Sequence, residues 1–210
     1  MGTQKKATAV RRREIVQAAL QLVASRGLQG LTIAGIAARI GLAPSALYRH
    51  FGNKDLVIDE ILDLVQEQLM ENVRLAQGET PEPLARLHRL LLLHLQFIGE
   101  QPGILPVVFS QEIMGGPPRR RAKVYALIRA YLREVADILR QGQAGGVIRA
   151  DAAPETMALV FLGLIQPAAI LWHLSGGEVA VLEEAERAWQ IFAAGIAPTT
   201  IHGKLTGEEP

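Results

Sequence analysis

LTIAGIAARIGLAPSALYRHFGNKDLV, residues 31–57, holds two short apolar helices and the start of a third, punctuated by glycine. Thr32 is placed to cap the first, its hydroxyl accepting from the orphan amides behind Ile33. Ile33, Ile36, Ala37 and Ile40 then keep one helical face for two turns, and Gly41 ends it. After Leu42 and Ala43, Pro44 suits a first helical position, where its missing N–H costs nothing. A short helix over 44–51 is expected, closed by Gly52, and Asn53 caps a longer one that starts at Lys54. Upstream, Ile15, Ala18, Ala19, Leu22 and Val23 recur at helical spacing, and Arg26-Gly27 supplies a cation and a left-handed cap. Apolar helices this short cannot bury themselves singly. They must pack as a trihelical unit in which Leu22, Ile36, Ile40, Leu47 and Phe51 meet.

Charge sets this segment apart from the rest. Lys5, Lys6, Arg11, Arg12, Arg13, Arg26, Arg39, Arg49 and Lys54 face only Glu14, so residues 1–54 carry +8 (9 basic, 1 acidic). The whole chain has 22 basic and 21 acidic residues, which leaves −7 for residues 55–210 (13 basic, 20 acidic). A basic head on an acidic body suits a polyphosphate partner at one end only.

The remainder reads as helical throughout. GETPEP (78–83) breaks the chain, and helices are expected over 84–100, 104–114, 119–142, 154–174 and 178–196. Ala and Leu dominate the apolar half of the composition, which favours helices. The expected fold class is all-α, with about nine helices: an N-terminal three-helix head and a larger helical ligand-binding and dimerisation body. The expected division is a basic flexible arm at 1–10, a helix-turn-helix domain at 11–56 with its motif at 32–51, a body at 57–198 and a frayed tail at 199–210. Cysteine is absent, which removes disulfides, thiolate metal sites and cysteine nucleophiles. The N-terminus lacks the apolar core of a secretory signal. Met157–Trp172 is the most apolar stretch, but it is shorter than the roughly 20 residues a bilayer crossing needs. A buried helix and no membrane partner are expected.

With these residues in view, the chain resembles the TetR family of bacterial transcriptional repressors. The resemblance rests on Thr32, Ile33, Ile36 and Ala37, on Gly41-Leu42, on Leu47, Tyr48, His50 and Phe51, and on Lys54 and Leu56, and it is dense over about residues 11–60. It implies a bacterial, cytoplasmic, homodimeric regulator on double-stranded DNA with a palindromic operator. Helix 44–51 would enter the major groove while the preceding helix crosses the backbone. Thr32, Tyr48, His50 and Lys54 would meet phosphates; Pro44, Ser45, Ala46 and Arg49 would face base edges or the groove wall. Of these only Arg49 can hold guanine bidentately, so apolar contacts and DNA shape are expected to share the readout. Ala43 departs from the family pattern, where a capping Ser is common. Cations at a helix start oppose its dipole, so Arg11, Arg12 and Arg13 are read as phosphate contacts. Arg119–Arg121 are read as a solvated helix entrance.

The resemblance also implies a body with a small-molecule cavity and a four-helix dimer interface made by its last two helices. From helix faces, the cavity lining is expected from Leu64, Gln68, Leu91, His94, Phe97, Ile98, Phe109, Val124, Leu127, Phe161, Gln166 and Trp172, which suits a largely apolar effector. Met157, Leu164, Leu171, Leu182, Ala185, Trp189 and Phe192 are expected at the dimer interface. His88 and His94 point about 120° apart around one helix, so they are not a metal pair. No Gly-rich phosphate loop, HExxH or GxSxG occurs, and neither catalysis nor a cofactor is expected. Two rival readings share the DNA-binding head: an architectural protein without an effector, and a regulator of this fold governed by a protein partner.

Overall fold

The computed structural model describes residues 2–178 and 180–198. Among these it has α1 (Gly2–Arg26), a 3-10 turn (Leu28–Gly30), α2 (Ile33–Arg39), α3 (Pro44–Tyr48), α4 (Lys54–Glu79), α5 (Pro83–Glu100), α6 (Ile104–Val108), α7 (Gln111–Met114), α8 (Pro118–Ala144), α9 (Pro154–Leu174) and α10 (Val181–Ile196), and no strand. The fold is all-α, as expected. The helix expected over 104–114 is two, because Ser110 breaks the run and caps α7 by accepting from the Ile113 amide at 3.2 Å. The tail at 199–210 lies outside the described residues.

The expected flexible arm is instead helical: α1 begins at Gly2 and runs unbroken to Arg26. TQKKATAV contains neither proline nor glycine and is rich in residues that cost little in a helix, so nothing stops the helix before residue 11. Local signals set the head much as read. Thr32 accepts from the Gly35 amide at 3.0 Å, and Asn53 accepts from the Leu56 amide at 3.0 Å. Gly41, at φ 67°, takes the left-handed conformation and lets Leu42 N–H return to the Ala37 carbonyl at 2.9 Å, the closing bond of a Schellman turn. Leu22, Ile36, Leu47 and Phe51 form the buried centre of the unit, with Ile40 half-buried at its edge.

Head and body share one core. Val57, Ile58, Ile61 and Leu62 of α4 are buried, and α4 packs on α1, α5 and α8. Gly103, after α5, sits so close to α1 that a Cβ there would lie 2.2 Å from the Leu20 carbonyl oxygen. Leucine-rich α5 runs through the middle of the body against α4, α8, α9 and α10. α9 has the bounds expected, and at 21 residues it is by length and composition alone long and apolar enough to cross a membrane. One of its faces packs on α8 and α10 through Met157, Phe161 and Ile165; the other, with Leu159, Val160, Ile170, Leu171 and Leu174, is exposed.

Candidate nucleic-acid interface and body cavity

The head presents one polar, basic face. In α3, Leu47 points inward, followed by Phe51 one turn on, so Pro44, Ser45, Tyr48 and Arg49 are left exposed, with Ala46 and His50 half-buried. Tyr48 is 55% exposed although it belongs to a short apolar helix, and a surface aromatic hydroxyl is well suited to a phosphate oxygen. Thr32 is exposed at the start of α2. The helix expected over 44–51 ends at Tyr48; a turn continues to Phe51 through bonds from the His50 and Phe51 amides to the Leu47 carbonyl, each 2.9 Å. No side chain caps α3 at Ala43.

The cations are less free than their sequence positions suggest. Arg12 hydrogen-bonds Glu60 of α4 and lies over the Phe51 ring, 4.7 Å from its centroid, so it fastens α1 to α4 instead of standing ready for DNA. Its bond to Glu60 raises its pKa further above the ordinary arginine value. Arg11 pairs with Glu14 at 2.7 Å, while Arg13 is exposed. Lys54 is half-buried and lies 3.5 Å from Glu112 of α7.

At the start of α8, Arg119 and Arg121 are exposed as a solvated entrance would have them, but Arg120 is not. Arg120 is 2% exposed and reaches Asp55 and Asp59 of α4, both at 3.1 Å. Arg119 meets Asp59 at 3.2 Å, and Lys123 meets Asp63 at 2.7 Å. Asp55, Asp59 and Asp63 recur every four residues, one acidic stripe on α4 facing one basic stripe on α8. Arg121 donates to the Met114 and Gly116 carbonyls at the end of α7. The cation run at the start of α8 therefore ties together α4, α7 and α8.

Beside this clamp lies a cavity of about 110 Å³. Its wall is apolar and without a charged side chain; His94, Tyr131 and Gln166 are its polar members. Phe97, Ile98, Phe109, Val124 and Leu127 line it as expected. Leu64, Gln68, Leu91, Phe161 and Trp172 do not. On α4 the lining falls to Leu62, Val65 and Leu69, since each residue turns the helix by about 100° and an error of one or two positions selects a different face. Gln68 instead bonds the buried Asn72 at 3.0 Å, and Phe161 packs on Phe192. Tyr131 was missed, although Val124, Leu127 and Tyr131 are one helical face of α8. Phe109 and Met114 line the cavity and are also 45% and 53% exposed, so its mouth opens between α6 and α7.

Inside, His94 Nδ1 and the Tyr131 hydroxyl are 3.0 Å apart. Burial lowers the His94 pKa from 6.5 to about 4 and raises that of Tyr131, so both are neutral at physiological pH. His88 belongs to other neighbours, Glu186 at 2.6 Å and the Trp189 ring. Pro167 leaves the Gly163 carbonyl without its helical donor, but both residues are exposed on the outer side of α9, away from the cavity. The expected interface also needs correction: Met157, Ala185, Trp189 and Phe192 are buried within the single chain, and Leu164 is partly so. Leu171 and Leu182 are exposed, alongside Leu174 and Ile191 at 75% and 77%.

Comparison with known proteins bears on both parts. Residues 15–61 match the family described as bacterial regulatory proteins, tetR family, and residues 80–196 match the tetracyclin repressor-like C-terminal domain. The nucleoid occlusion factor SlmA of Yersinia enterocolitica is 34% identical over 157 residues, 72% of this chain and 78% of that protein. Among solved structures, the ketosteroid transcriptional regulator KstR2 of Mycobacterium tuberculosis superposes with a TM-score of 0.70 at 24% identity, covering 89% of this chain and 95% of that one. The fatty acid degradation regulator FadR from Bacillus halodurans gives 0.76 at 17% identity, covering 87% and 94%.

Proposed function

Because this chain belongs to the TetR family of bacterial DNA-binding regulators, we propose that it acts as a homodimeric repressor, released from a palindromic operator when a small, largely apolar effector fills the body cavity. The observation that carries this reading is a shared wall. The cavity is lined by α4, which begins at Lys54, and by Met114 of α7, two residues from the Glu112 that holds Lys54. A molecule that overfills this cavity past Phe109 and Met114 displaces α6 or α7, and α7 is tied to the start of α4 through Glu112 and Arg120. Effector occupancy thereby shifts the heads, and by linkage DNA weakens effector binding by the same factor.

Thr32, Tyr48, His50 and Lys54 serve phosphates in this reading, with Pro44, Ser45, Ala46 and Arg49 toward the bases. The exposed apolar residues of α9 and α10 are covered by the same helices of a second copy, since one short recognition helix reads only a few base pairs. Selecting binding sites from random duplexes with the purified protein tests the proposal. Enrichment of a two-fold symmetric sequence supports it; salt-sensitive binding without an enriched palindrome sinks it.

The likeness to a nucleoid occlusion factor favours a second reading, in which the DNA-bound body acts on a protein partner. Release of the selected site by small apolar compounds, with no other protein present, separates the two.

A further inference from the structure

The hydrogen-bond arrangement at the cavity floor specifies more than apolarity. Tyr131 is 1% exposed, and its hydroxyl has one partner, His94 Nδ1 at 3.0 Å. Were Nδ1 the donor, the Tyr131 proton would be buried without an acceptor, a costly arrangement. The hydroxyl therefore donates to Nδ1, which places the imidazole hydrogen on Nε2. His94 is 8% exposed, Nε2 makes no hydrogen bond, and among the described residues no fully buried side-chain nitrogen or oxygen lacks a partner. Nε2 must then reach open space, and the space His94 borders is the cavity. Desolvation disfavours imidazolium there, so Nε2–H remains a neutral donor. No side chain of the wall carries a charge to receive an ionised ligand.

We infer that the cavity takes an uncharged, compact hydrophobe bearing one hydrogen-bond acceptor, a ketone or ester carbonyl, whose oxygen accepts from His94 Nε2–H. This rests on the cavity being the effector site. A carboxylate is disfavoured because nothing in the wall would replace its lost hydration. In its present volume of about 110 Å³ the cavity suits a molecule near the size of benzene, which a comparable engineered cavity of about 150 Å³ accepts. Larger members of the class require α6 and α7 to yield at the mouth.

Cyclohexanone, its hydrocarbon isostere methylenecyclohexane and cyclohexanecarboxylate at pH 7.5 form a matched probe set for calorimetric titration of the full chain. Comparing the ketone-to-hydrocarbon affinity ratio between wild type and a His94→Phe/Tyr131→Phe double variant, which leaves no freed hydroxyl in the cavity, cancels the probes' different hydration. The expected result is a ratio about tenfold lower in the variant, the scale of one hydrogen bond, with the carboxylate bound more weakly than the ketone throughout. An unchanged ratio, or tighter binding of the carboxylate, overturns the acceptor assignment while leaving the cavity as an apolar site. Failure of both neutral probes to bind wild type overturns the effector-site reading as well. Should the double variant not fold, nitrogen-15 spectra of histidine-labelled wild type decide: a His94 Nε2–H resonance displaced by bound cyclohexanone supports the inference, and an unmoved resonance at saturation overturns it.

Discussion

Arg49 and Lys54 stand five residues apart in the head, yet they answer to different physics. Arg49 is exposed just past α3, and in the proposed reading its guanidinium faces base edges. Arg49→Ala is expected to change which half-site bases are enriched in site selection; an unaltered preference would confine Arg49 to the backbone. Lys54 is a phosphate candidate, and Lys54→Gln is expected to weaken binding to all sequences and flatten the salt slope by about 1–2 per dimer. His94 contributes a pH dependence of its own. Its folded pKa of about 4 lies below the unfolded 6.5, so between those values the unfolded chain binds the extra proton. Stability from this group is full above 6.5 and falls as pH drops toward 4, by about 3 kcal/mol per protomer in total. Denaturant titrations across that window should show the loss in wild type and lack it in a His94→Phe/Tyr131→Phe double variant, which leaves no orphaned hydroxyl.

Among the elements, α4 and α7 invite the next experiment. The α4 stripe Asp55, Asp59 and Asp63 is held by α8, while Lys54 at its first turn is held by Glu112 of α7. If Lys54 serves a phosphate as proposed, Glu112 competes for the same ammonium. Glu112→Gln is expected to tighten DNA binding by roughly fivefold per dimer, the scale of two partly exposed ion pairs, and to blunt release by whichever probe fills the cavity. DNA affinity equal to wild type in electrophoretic or fluorescence titrations would count against the competition. These short elements also show what was readable in advance. The Thr32, Gly41 and Asn53 signals act over a few residues of chain, and each appears where it was read. The helix expected over 104–114 divides because its middle follows Ser110 and not its own periodicity.

For the whole molecule, the proposed assembly turns on the outer faces of α9 and α10. Their apolar residues divide into an inward set that completes one subunit's core and an outward set left exposed. Leu171→Glu should dissociate the dimer in sedimentation equilibrium and lower operator affinity, with helical content unchanged, because Trp189 and Phe192 are buried within the chain whether or not a second copy is present. A fully dimeric variant would place the interface elsewhere. By itself the sequence determined the helical class, the head and its glycine and cap punctuation, and the separation of charge, because those depend on neighbours close along the chain. Which arginines are free, which leucines border the cavity and which apolar residues face outward were decided only by tertiary structure. A helix turns by about 100° per residue, so adjacent residues meet different partners. Arg12 meets Glu60, and Arg120 meets Asp59, across gaps of 48 and 61 residues that no local pattern spans.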